Sequence, residues 1–125
     1  MEITTTQQTS RVSVTVVHIK GDIDSTTVKH TQAKIEKVVE AGARDLVLDL
    51  TEVGYLSSAG IRMLSSLFNL LRGTPPPESD PDGMLKSPHL KLVSSTPRVT
   101  DVLKISGLDL ILDYYGNVAQ AVASF

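Results

Sequence analysis

Asp49-Leu50-Thr51-Glu52-Val53-Gly54-Tyr55-Leu56-Ser57-Ser58-Ala59-Gly60-Ile61-Arg62-Met63-Leu64 is the stretch on which the reading of this chain turns. It begins at the end of a short apolar run, Leu46-Val47-Leu48-Asp49-Leu50, the pattern of a buried strand. A loop from Thr51 to Leu56 follows, and then a helix from about Ser58 to Arg72. Two serines and two small residues open that helix. The first backbone N–H groups of a helix lack intrahelical partners, and its dipole favours negative charge there. A phosphoryl group at this point is stabilised and changes the surface by about −1.5 to −2 charges at neutral pH. Ala59 and Gly60 keep bulk away, so another protein can approach closely. Serine before a helix is also among the commonest N-caps. Spacing alone favours that plainer role, and Ser57 suits it. Along the helix, Ile61, Leu64, Phe68 and Leu71 form one stripe that Met63, Leu67 and Leu70 widen. An amphipathic surface helix needs an apolar stripe only about 100° wide. The excess points to deep burial or to a partner surface, and periodicity favours burial.

Upstream, Val12, Val14 and Val16 alternate with Ser13, Thr15 and Val17 and lead into His18-Ile19-Lys20-Gly21, a period-2 strand. Asp22-Ile23-Asp24-Ser25 supplies loop and cap chemistry. Thr26 to Ala41 reads as a helix with Val28, Ile35, Val38 and Val39 inward, closed by Gly42. Downstream, four of the six prolines fall between Gly73 and Gly83, which marks a surface insertion over about 73–89. Leu90-Lys91-Leu92-Val93 resumes as a strand. Thr96-Pro97 opens a short helix through Val99, Val102, Leu103 and Ile105 that ends at Gly107. Leu108 to Leu112 reads as a brief strand, and Asn117 to Ala123 as a last helix. This alternation calls for one α/β domain over residues 1–125, a sheet with helical crossovers.

Composition excludes several functions. A net charge of −2 gives no footprint for nucleic acid or anionic lipid. Two Phe, three Tyr and no Trp offer no stacking platform for bases. There is no cysteine, so thiolate metal sites and cysteine nucleophiles are absent. His18, His30 and His89 have no ligand spacing. The polar start, Met1 to Thr6, is not a signal peptide, and no apolar run is long enough to cross a bilayer. The chain therefore reads as cytoplasmic. No nucleophile elbow, P-loop or dinucleotide fingerprint occurs, so it reads as non-enzymatic and free of cofactor and metal.

Four blocks in order resemble the STAS family, the module named for sulphate transporters and anti-sigma factor antagonists, and within it the stand-alone antagonists. They are Gly21-Asp22-Ile23-Asp24, Leu46-Val47-Leu48-Asp49-Leu50-Thr51, Tyr55-Leu56-Ser57-Ser58-Ala59-Gly60-Ile61, and Val99-Thr100-Asp101-Val102-Leu103-Lys104-Ile105-Ser106-Gly107-Leu108. The resemblance implies a STAS-like α/β fold, a mixed sheet of four or five strands with helices mainly on one face. It implies phosphorylation of Ser58 by a partner kinase. The family's common acid before the acceptor is replaced here by Ser57, and its second hydroxyl residue by Ala59. Asp24 falls on the family's acidic position after the first glycine and is expected beside Ser58. The implied partner surface comprises Asp22, Asp24, Ser57, Ser58, Ala59, Gly60, Ile61 and Met63. The implied partners are an anti-sigma factor that is a serine kinase of the histidine-kinase-like ATPase type, and a metal-dependent serine phosphatase. The domain itself is expected as a monomer or weak dimer.

Two other functions compete. A STAS scaffold or accessory subunit, in a stress-signalling complex or a lipid-transport ATPase, keeps the fold and changes the task. A receiver-like domain phosphorylated on Asp49 also fits Leu46 to Asp49. It lacks the adjacent acidic pair and the late lysine that a receiver needs, because Asp22 and Asp24 are two apart and no lysine directly follows Val93. Asp49 reads instead as structural, accepting hydrogen bonds in the loop beyond its strand.

Overall fold

A computed structural model describes residues 2–72, 89–94, 96–110 and 112–125. The insertion expected at 73–89 lies outside the described residues except for His89. Five strands form one sheet in sequential order: β1 (Glu2–Thr9), β2 (Ser13–Lys20), β3 (Leu46–Glu52), β4 (Leu90–Val93) and β5 (Asp113–Tyr115). The β1–β2 pair is antiparallel; β2, β3, β4 and β5 run parallel. Parallel neighbours require crossovers, and α1 (Val28–Glu40), α2 (Ser58–Arg72) and α3 (Pro97–Ile105) supply them. A last helix, α4 (Val118–Ala123), follows β5.

Strand alternation decides which helix packs where. Val17 and Ile19 of β2, Leu46, Leu48 and Leu50 of β3, and Leu90 and Leu92 of β4 point to one face. There they join Ile35 of α1, the apolar side of α2, and Val99 and Leu103 of α3 in the main core. The alternate residues Val14, Val16, Val47 and Val93 face the other way and meet Ala121 and Val122 of α4. Three helices therefore lie on one face and one on the other, the mixed sheet with helices mainly on one side that the family resemblance implied.

Three local expectations are revised, and one strand appears where none was read. The polar N-terminus is an eight-residue strand, whose threonines suit an exposed pleated surface. The third strand runs on through Thr51 and Glu52. Leu108–Leu110 is a 3₁₀ turn, and the last strand comes later, at Asp113–Tyr115. Ile105 is 86% exposed, at the end of α3, and takes no part in the core. Periodicity over nine residues does not distinguish a core position from a fraying helix end.

Candidate functional site

The site lies at the C-terminal ends of β2 and β3, where two strand-to-helix junctions run side by side. Beyond the strands, Ile23 and Leu56 continue the parallel pairing as an isolated bridge. Gly21 N–H donates to the Glu52 carbonyl at 3.2 Å, Ile23 N–H to Tyr55 at 2.9 Å, and Ser57 N–H to Ile23 at 2.9 Å. The Ile23 and Leu56 side chains are buried. The two loops are thus zipped together and pinned to the core.

Gly60 is locked under this clamp. A Cβ there would lie 2.5 Å from Leu56 Cδ1 and 3.0 Å from Ile23 Cγ2, inside van der Waals contact. Gly60 therefore lets the first turn of α2 sit directly on the two loops. Ser57 is the N-cap: its Oγ accepts from Gly60 N–H at 3.3 Å, and its carbonyl accepts from Ile61 N–H at 2.9 Å. Ser58, the first helical residue, is exposed. No hydrogen bond is formed by its hydroxyl among the described residues. The first turn of α2 contains no acidic side chain.

The first junction closes on itself. Asp24 Oδ1 accepts from Thr26 N–H at 2.8 Å, Thr26 Oγ1 at 2.6 Å and Thr27 N–H at 3.2 Å. Thr27 Oγ1 donates to the Asp22 carbonyl at 2.8 Å. The Thr26 hydroxyl above all, with the Thr26 and Thr27 amides, holds the Asp24 carboxyl below its ordinary range. Asp24 therefore organises the entry to α1. Among the described residues the Asp24 carboxylate makes its hydrogen bonds to these threonines, two and three residues away, and none to Ser58.

Of the other expected contact residues, Asp22 is exposed with Oδ1 against Gly54, while Ala59 and Ile61 are half-buried. Met63 is 1% exposed and belongs to the core, so it cannot meet a partner directly. The widened stripe on α2 is mostly burial, as periodicity favoured; Leu70 alone of its seven residues is well exposed, at 48%. Two features escaped the sequence reading. Tyr55 is 44% exposed beside the serines, and Ile23 with Leu56 forms the clamp. Apolar residues within loops were the available signal.

Behind the site, Asp49 is structural, as its place in the sequence suggested. Its Oδ1 accepts from Thr51 Oγ1 at 2.7 Å and Thr51 N–H at 3.1 Å; its Oδ2 lies 2.8 Å from His18 Nδ1. Burial pushes this carboxyl up, but the Thr51 hydroxyl, His18 and the Thr51 amide together bring it below its ordinary value. The carboxylate is fully engaged, and the sheet has sequential order with an antiparallel edge. Both differ from a receiver, whose parallel sheet has order 2-1-3-4-5.

The sequence profile of the STAS domain matches residues 4–74, more than half of the chain and all of both junctions. The chain belongs to the STAS domain family. This STAS domain is 28% identical over 107 residues to BtrV of Bordetella bronchiseptica, which carries a provisional assignment as an anti-sigma factor antagonist. The match covers 86% of this chain and 82% of BtrV. Its fold is similar to a crystal structure of an anti-sigma factor antagonist from Mycobacterium paratuberculosis, with a TM-score of 0.73 at 24% identity, covering 98% and 93% of the two chains. It is also similar to the Bacillus cell fate determinant SpoIIAA in its phosphorylated form. There the TM-score is 0.59 at 17% identity, with 95% and 96% coverage. Among the described residues no helix is long and apolar enough to cross a membrane.

Proposed function

We propose that this STAS domain is an anti-sigma factor antagonist whose binding is switched off by phosphorylation of Ser58. The observation that carries the reading is the division of labour between the adjacent serines. Ser57 is used as the cap of α2, while Ser58 stands exposed at the first helical position. The assignment of BtrV supports the regulatory role.

Unmodified, the domain binds an anti-sigma factor of the histidine-kinase-like ATPase type and releases a sigma factor. The exposed Asp22, Tyr55 and Ser58 and the half-buried Asp24, Ser57, Ala59 and Ile61 are residues at these junctions that a partner can touch, whereas Gly60 and Met63 are buried. Tyr55 suits the anchor role, since aromatic side chains dominate binding hot spots. ATP and Mg²⁺ belong to the kinase; this domain contributes the acceptor and no catalysis. A phosphoryl group on Ser58 sits at the positive end of α2 and one turn before the exposed Arg62. Its charge and bulk disrupt a tight contact, and a loss of ~3 kcal/mol weakens binding roughly a hundredfold. A metal-dependent serine phosphatase resets the cycle, which runs in the cytoplasm.

The test incubates the purified chain with an anti-sigma factor kinase and labelled ATP, comparing wild type with Ser58→Ala and Ser57→Ala. Label is expected on wild type and Ser57→Ala but not on Ser58→Ala. Undiminished labelling of Ser58→Ala removes the assignment.

A further inference from the structure

The two edges of the sheet are treated differently. At one edge β5 is only three residues long, and short edge strands resist pairing with other chains. At the other, β1 pairs with β2 without a register break, from Glu2↔Lys20 to Thr9↔Ser13. Its sequence, Glu-Ile-Thr-Thr-Thr-Gln-Gln-Thr, contains no lysine, arginine, proline or glycine. Apart from the charge of Glu2 at its end, it lacks the sequence devices that usually blunt an exposed edge. Except for Ile3, which is half-buried against the main core, the residues of β1 are exposed. On the main-core face an open cavity of about 610 Å³ lies between Thr5, Gln7, Thr15 and Val38. On the α4 face another of about 380 Å³ lies between Gln8, Thr9, Val118 and Val122. The outer row of β1 backbone groups is unpaired among the described strands.

We infer that β1 is a homodimer edge, pairing antiparallel with β1 of a second copy to make one ten-stranded sheet. The strand is close to self-complementary about Thr5. A two-fold axis normal to the sheet through Thr5 keeps each face on its own side. It pairs Thr4 with Thr6, Ile3 with Gln7, and Glu2 with Gln8 of the other copy. Threonine pairs across antiparallel strands are favourable. The Gln8 amide can donate to the Glu2 carboxylate. The strand's one charge, Glu2, lies at its end, so the two-fold carries the like charges to opposite ends of the interface. A parallel arrangement brings them together. The interface lies to the side of the Ser58 junction, so dimerisation does not depend on the state of that serine.

The absence of cysteine from the chain makes the test direct. Single-cysteine variants at Thr4, Thr5, Thr6 and Lys104 are oxidised, with Lys104, exposed on α3, as the control. Disulfide dimer is expected to form fastest at Thr5, and faster at the strand centre than at Lys104. Sedimentation of wild type over rising concentration is expected to show a monomer–dimer equilibrium that Ser58→Asp leaves unchanged. Thr5→Lys sets like charges directly opposite one another across the two-fold, Gln7→Lys adds a second charge diagonal to them, and the double variant is expected to weaken dimerisation ~tenfold or more. Mixing it with Thr5→Glu/Gln7→Glu is expected to restore dimers as mixed pairs, which a merely unfolded variant cannot do. The proposal is overturned by a wild type that stays monomeric, by cross-linking at Thr4, Thr5 and Thr6 no faster than at Lys104, or by dimers that survive both lysines. Because Ser58 is intact in the cross-linking set, failure here leaves the labelling experiment unaffected.

Discussion

The strand-to-helix junctions after β2 and β3 lie side by side, yet they dispose of their polar groups in opposite ways. After β2, Asp24 gathers the Thr26 and Thr27 donors and closes the turn. After β3, Ser57 alone serves as cap, the first helical turn has no carboxylate, and the Ser58 hydroxyl faces solvent. One junction is finished as structure. The other is held just as firmly beneath, by Ile23, Leu56 and Gly60, but leaves its outer surface chemically open. A rigid base with an open polar top is what a modification switch needs: charge can be added without disturbing the fold.

That contrast can be broken from below. Leu56→Ala opens a cavity under both junctions and is expected to cost ~2–5 kcal/mol in urea unfolding. A loss under ~1 kcal/mol would mean that the site collapses freely and the clamp is not rigid. Gly60→Val overpacks the same place from the helix side, at about 1–3 kcal/mol. An unchanged stability there would show that Leu56 and Ile23 can step aside.

The remaining tests separate the tops of the junctions. Ser57→Ala is expected to cost ~0.5–1 kcal/mol, the low end for a lost cap, since its hydrogen bond is long. Asp24→Asn keeps the turn's geometry and removes only its charge, so its effect is smaller and depends on pH. The Asp24 carboxyl is held below its ordinary value in the folded state. Its contribution is therefore present above the unfolded pKa and lost as pH falls through the lower folded value. Melting curves of wild type and Asp24→Asn are expected to differ at neutral pH and to converge in acid. Ser58→Ala is expected to change stability by less than ~0.5 kcal/mol while abolishing labelling. If Ser58→Ala destabilises more than Ser57→Ala, the two roles are reversed.

Much of this architecture was legible because alternation and helical spacing are written directly in the chain. Val14, Val16, Leu46, Leu48 and Leu50 announced strands, and Val28, Ile35 and Val39 an inward helix face. What escaped was β1, whose threonines and glutamines resemble a polar tail until β2 offers a ladder to pair with. The late strand escaped too, since three residues carry no period.

The sequence alone determined that two adjacent serines open an apolar helix after a buried strand, and it named both possible roles for them. It could not apportion those roles, because a cap and an acceptor use the same residue type at nearly the same place. Tertiary structure decided the geometry beneath that choice. The bridge between Ile23 and Leu56 fixes where α2 starts, which makes Ser57 the cap and turns Ser58 outward. Likewise Met63 is apolar in either reading, and only packing against the sheet places it inside. Local chemistry is set by residue type and spacing; which face meets water is set by what the rest of the chain covers.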